Sequence, residues 1–206
     1  MKLIERSLLS AIVFVSCSAV AFAQAPPAGR GGPPRLAFWV TTSAWPDGGE
    51  VPMKYSLRGD NKSPAFEFHW NAGTNPTNPP DNLKTYVVQL RDMENAEGKT
   101  ANDTLHWAAF NIPGTAKGLP EGLAAGDLAD GTRNGPGFAA GRGQTPVYNG
   151  PGAGPGPIHH YAYEFFALDT KLDLPANASR ADLLKAMEGH VIGKAVWFGR
   201  FHMAAQ

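Results

Sequence analysis

LHWAAFNI (residues 105–112) and YAYEFFAL (residues 161–168) are two runs dense in aromatic side chains and free of glycine and proline. Runs of this length and composition read as buried β-strands. Four more stretches carry the same signal: LAFWVTT (36–42), AFEFHW (65–70), TYVVQL (85–90) and the segment from Gly193 to His202. Turn-forming clusters separate them, notably Pro46-Asp47-Gly48-Gly49 and the polar stretch from Asn71 to Asn82. One segment reads as a helix. Ser179 sits three residues before Asp182 as a capping pair, Leu183, Leu184 and Met187 share a face, and Gly189 can end it. The class is mainly β: a β-sandwich with one or two peripheral helices and long Gly/Pro-rich loops.

Composition agrees with one loop-rich domain. The chain has 206 residues, and about one in five is glycine or proline, while 43% are hydrophobic, enough for a substantial core. Its 18 basic and 18 acidic side chains balance, which argues against a nucleic-acid partner, since such proteins concentrate Lys and Arg. No internal repeat is visible.

The amino terminus reads as an export signal. Lys2 and Arg6 precede an uncharged apolar stretch from Ser7 to Phe22, and Ala21-Phe22-Ala23 offers the small residues of a cleavage site before Gln24. Residues 1–23 are therefore expected to be a Sec-type signal peptide, and the protein periplasmic or secreted. A lipoprotein alternative would be processed at Cys17, but Phe14-Val15-Ser16 is a poor lipobox. Cleavage removes Lys2, Glu5 and Arg6 with the lone cysteine, which leaves a chain acidic by one charge and without disulfides. The stretch is too short and too often broken by serine to be a stable membrane span. Residues 24–35 (QAPPAGRGGPPR) have the composition of a flexible leader, so residues 36–206 form the single domain.

Candidate chemistry lies at strand ends. His106 begins one strand run, His159 follows the Gly/Pro-rich segment 131–157 and opens another, and Tyr161, two residues on, shares its face. Asp92 is placed just past the end of the 85–90 run. A carboxylate beside two imidazoles favours their protonated form and so suits a small anionic or phosphorylated ligand. The same trio could ligate a metal, but no local metal-binding spacing is present, so no metal or cofactor is assigned. No nucleophile elbow or phosphate-cradling loop occurs either, and no catalytic residue is assigned. The aromatics Trp39, Trp70, Trp107, Trp197, Phe66, Phe68, Phe110, Phe165 and Phe198 read as core. Glu164 and Asp169 read as strand-end or surface acids, Arg133 and Arg142 as solvated loop residues, and His160 as pointing away from His159.

Taken in order, these segments resemble the phosphatidylethanolamine-binding protein family, in particular its bacterial Raf-kinase-inhibitor-like branch. Ser63-Pro64-Ala65-Phe66-Glu67-Phe68-His69-Trp70 is similar to one of its conserved-looking segments. So are His106-Trp107 with Phe110-Asn111-Ile112-Pro113 and Leu119-Pro120-Glu121-Gly122. Tyr148-Asn149-Gly150-Pro151, Pro157-Ile158-His159-His160-Tyr161, Phe166-Ala167-Leu168-Asp169 with Leu172-Asp173-Leu174, and Gly189 to Ala195 complete the likeness.

The resemblance implies a sandwich with a small surface pocket for phosphate-like or acetate-like anions and phospholipid headgroups. Asp92 matches the first acid of the family's D-P-D-x-P motif, His106 and His159 its two pocket histidines, and Tyr161, Gly150 and Pro151 its pocket wall. The chain departs from that motif at Asp92-Met93-Glu94-Asn95-Ala96, where both prolines are missing. Two other readings stay open at this point: a protein-interaction module, inhibitor-like toward a kinase or protease, and a hydrolase in which Asp92 is the base and both histidines orient water. Members of the family also form homodimers, and the resemblance extends that expectation here.

Overall fold

In the computed structural model, residues 36–134 and 148–204 are described. The signal-peptide and leader assignments, Cys17, Arg142 and the middle of the Gly/Pro-rich segment fall outside these residues. The six expected runs become six main strands: β1 (Leu36–Thr41), β3 (Phe66–Ala72), β5 (Thr85–Ala96), β6 (Asp103–Pro113), β10 (His159–Leu168) and β11 (Val191–Phe201). Five two-residue strands fill in between: β2 (Gly49–Glu50), β4 (Asn75–Pro76), β7 (Gly118–Leu119), β8 (Gly126–Asp127) and β9 (Arg133–Asn134). The larger sheet runs β2-β11-β10-β5-β6-β9-β8, and the smaller runs β1-β3-β4 with β7 also paired to β3.

Alternation along β3 shows why the sheets stack. Phe66, Phe68 and Trp70 are buried while Glu67 is exposed, as a period of two on a half-buried strand requires. Those rings meet Phe38, Tyr86 and Phe165 between the sheets: Phe66 lies 4.8 Å from Phe165 and Phe68 lies 4.5 Å from Tyr86, centroid to centroid. The indole N–H of Trp70 donates to the Tyr86 hydroxyl at 3.0 Å, so this polar pair is buried without an unmet donor.

Strand β5 is buried on both faces over its first half, because a second apolar layer covers the outer face of the larger sheet. There Val87, Leu105, Phe110, Phe166 and Leu168 pack with Leu172 and with Leu183 and Met187 of α1 (Arg180–Met187). The helix starts where expected: the Ser179 hydroxyl accepts from the Asp182 N–H, and the Asp182 carboxylate answers the Ser179 N–H. Asn111, at φ 55°, forms a bulge in β6, and its side chain makes paired 2.8 Å hydrogen bonds to the backbone of Leu172.

Several sequence-based assignments need correction. Trp39 and Phe198 are each 41% exposed. Trp39 lies on β1 at the margin of the smaller sheet and stacks on His69, ring centroids 4.2 Å apart. Glu164 is not a surface acid but is buried at mid-strand. It pairs with the Arg91 Nε at 2.7 Å and with Lys194 at 2.8 Å, while Arg91 and Arg180 both pair with Asp103. Five elements thus place their charges on one patch of the outer face, where the buried Glu164 and the half-buried Asp103 need their cationic partners.

Candidate functional site

The site is built where β5, β6 and β10 meet. Strands β5 and β10 are antiparallel with Asp92 opposite Tyr161. Asp92 therefore lies inside β5, which continues to Ala96 instead of ending at Leu90 as expected. Between β5 and β6 the register slips: Leu90 faces Trp107, but Arg91 faces Leu105. The extra residue is His106. Leu105 belongs to the outer core and Trp107 to the inter-sheet core, although strict alternation would put residues two apart on one face. The bulge lets Trp107 fill the inter-sheet core while His106 stands beside Tyr161, their rings edge to face at 5.5 Å.

Asp92 is the hub. Its side chain is 4% exposed, and its two oxygens lie 2.9 and 2.8 Å from the His159 Nδ1. The Glu94 N–H donates to Oδ1 at 3.1 Å, and the His106 Nε2 lies 3.7 Å from Oδ2. The opposite ring nitrogen of His106 faces carbonyl oxygens of Gly150 at 3.1 Å and Asn149 at 3.3 Å. Only an N–H can satisfy a carbonyl, so the neutral ring carries its proton on Nδ1. Burial pushes the His106 pKa down, against the opposing pull of the Asp92 charge. The Tyr161 hydroxyl accepts the N–H groups of Gly152 and Ala153, each at 3.2 Å, and burial followed by the nearby Asp92 charge raises its pKa.

The wall at residues 148–153 is clamped onto residues 55–61. The Tyr148 hydroxyl donates to the Tyr55 carbonyl at 2.8 Å, which leaves it to accept from Tyr163 at 2.9 Å. Leu57 N–H donates to the Pro151 carbonyl at 2.9 Å. Asn61, at φ 53°, accepts the Gly150 N–H at 2.9 Å and donates to the Tyr148 carbonyl at 3.1 Å. At Gly150 a Cβ would stand 2.1 Å from the Tyr55 carbonyl oxygen, so only glycine fits.

Every residue singled out from the sequence, Asp92, His106, His159, Tyr161, Gly150 and Pro151, is thus found in this one region. Two further residues, His160 and Asn61, join them. His160 does turn away from Asp92, but its N–H and its Nδ1 each lie 2.7 Å from a Glu94 oxygen. Burial alone would raise the Glu94 pKa; the contacts from His160 more than offset this and lower it. Asn61 lies some ninety residues from the loop it holds, and only its tolerance of the left-handed region hinted at a special backbone position. A cleft of about 520 Å³ lined by Met53, Ile158, Phe201 and His202 among others begins one residue from His159, but takes in neither Asp92 nor His106.

A family model described as phosphatidylethanolamine-binding protein matches residues 41–202. A UPF0098 protein of Methanothermobacter thermautotrophicus is 36% identical over 163 residues, covering 79% of this chain and 97% of the relative. Among solved structures, the putative phosphatidylethanolamine-binding protein homolog CT736 of Chlamydia trachomatis superposes with a TM-score of 0.66. It is 26% identical and covers 81% of this chain and 98% of that one. Escherichia coli YbcL, described as a new member of the mammalian PEBP family, superposes with a TM-score of 0.64 at 22% identity, with the same coverage, a likeness of fold.

Proposed function

Because this chain belongs to the phosphatidylethanolamine-binding protein family, we propose that it binds a small anion or phosphorylated headgroup at Asp92, His106 and His159. The observation that carries this reading is the buried Asp92 carboxylate holding the His159 ring by Nδ1 at 2.8 Å. That contact leaves the opposite ring nitrogen, Nε2 of His159, outside it, where it can meet a ligand. Tyr161 and the Gly150-Pro151 segment supply a wall whose hydrogen bonds are met within the protein, so binding need not order it.

Calorimetry on chelator-treated protein tests the reading. Phosphate and phosphoethanolamine should bind the wild type, and His159→Ala should weaken both at least about tenfold, about 1.4 kcal/mol. Equal binding by the two proteins would remove the pocket from consideration.

The same proposal includes export. It rests on the charged start, the apolar stretch and Ala21-Phe22-Ala23. Produced from the full gene in a Gram-negative host, the periplasmic protein should begin at Gln24 on amino-terminal sequencing. A retained leader, or a lipid-modified Cys17 as first residue, would overturn this.

A further inference from the structure

The charges at the site do not all favour an anion. Asp92 and Glu94 bring two carboxylates to one end of β5, and His106 has its Nδ1 proton committed to backbone carbonyls. One imidazole nitrogen of His159 and one oxygen from each of Asp92 and Glu94 lie within 4.8 Å of one another. Ligand atoms around a single ion at roughly 2.1 Å sit about 3–4 Å apart, so modest rotation of the exposed Glu94 side chain closes the set. We propose that Asp92, Glu94 and His159 form a site for a divalent first-row transition-metal cation, with His160 as the residue that positions Glu94.

Three features support it. The donors are one imidazole and two carboxylates, a combination that suits zinc and its neighbours better than magnesium or calcium, which prefer oxygen alone. Each carboxylate is oriented by a backbone donor: Asp92 by the Glu94 N–H at 3.1 Å, and Glu94 by the His160 N–H at 2.7 Å. Metal-ligating carboxylates are held in this way by outer hydrogen bonds. Finally, the set is graded from buried to open, with Asp92 buried, His159 intermediate and Glu94 exposed, so an ion can enter from one side and keep an open coordination position. The sequence shows no metal spacing because the ligands come from two strands that meet only in the sheet.

This inference concerns the cation alone and does not require the anion reading. Purified protein, stripped with chelator, is titrated with Co²⁺ and followed by its visible absorption, then back-titrated with Zn²⁺. The expected result is one Co²⁺ per chain, displaced by Zn²⁺. Glu94→Gln and His159→Asn should each weaken uptake about a hundredfold or more, and His160→Ala about tenfold, as loss of an orienting partner does. His190→Asn, in a surface pair with Asp169 at 2.8 Å, should change nothing. Glu94 is exposed, so Glu94→Gln should melt like the wild type, and its metal affinity is the decisive reading. No stoichiometric uptake by the wild type, unchanged affinity in Glu94→Gln, or loss that follows His190 would each overturn the site. Intact Co²⁺ uptake in a protein that fails to bind phosphate would uphold the metal site and remove only the anion reading.

Discussion

Trp107→Ala should destabilise the domain by about 3–5 kcal/mol, the usual cost of emptying a large aromatic site. For a domain of this size that corresponds to a drop of roughly 8–16 °C in Tm. Trp107 is fully buried, with its ring edge-on to Tyr148 at 5.2 Å. Its indole N–H donates to the Asn134 Oδ1 at 2.6 Å, and the Asn134 amide donates in turn to the carbonyls of Leu123 and Ala124 at 3.1 and 2.8 Å. Truncation leaves both a cavity and a buried acceptor without its donor, which places the loss in the upper part of that range. Urea denaturation followed by circular dichroism gives the value. A loss under about 1 kcal/mol would mean that the core closes over the gap. Trp107→Phe should fall between, since it keeps most of the volume and loses only the N–H.

Gly150→Ala should be the most damaging one-methyl change near the site. The residue has no unusual φ; the obstacle is space, because the added Cβ would stand 2.1 Å from the Tyr55 carbonyl oxygen and 3.0 Å from the Ser56 Cα. Both are backbone atoms and cannot swing aside. The 148–153 wall must therefore shift, and with it the Gly150 carbonyl that fixes the His106 tautomer. Overpacking of this kind costs about 1–3 kcal/mol, and phosphate binding should weaken at least about tenfold, about 1.4 kcal/mol. Thermal melting with calorimetry on the same sample checks both. Wild-type melting and wild-type affinity together would show that the wall is not the rigid element described above. Gly154→Ala, where a Cβ meets nothing within 4 Å, is the matched control.

These two positions differ in how visible they are in the sequence. Trp107 is legible as a core residue because it lies in an aromatic run, and hydrophobic patterning is a local property. The bulge that lets it coexist with His106 on neighbouring positions is not legible. It depends on which residues of β5 come to lie opposite, and that is settled only when the strands pair. The end of β5 is hidden from the sequence for a related reason. Arg91-Asp92-Met93-Glu94 has poor strand propensity, but pairing with β10 and β6 supplies hydrogen-bond partners that override it. From the sequence Glu164 reads as a surface acid, because an isolated carboxylate is seldom buried. Arg91 and Lys194, its partners, come from β5 and β11.

By itself the sequence determined the strand runs and the capped helix at Ser179, since each is written in residue type and short-range spacing, and it marked Asp92, His106, His159 and Tyr161 as candidates. Only the tertiary structure decided which nitrogen of His106 holds its proton, that Glu94 and His160 join the site, and that Trp39 and Phe198 stay exposed. Those outcomes depend on contacts between segments tens of residues apart. Local periodicity carries the face a side chain takes along its own strand, whereas what waits on that face is set by the neighbouring strand and its register.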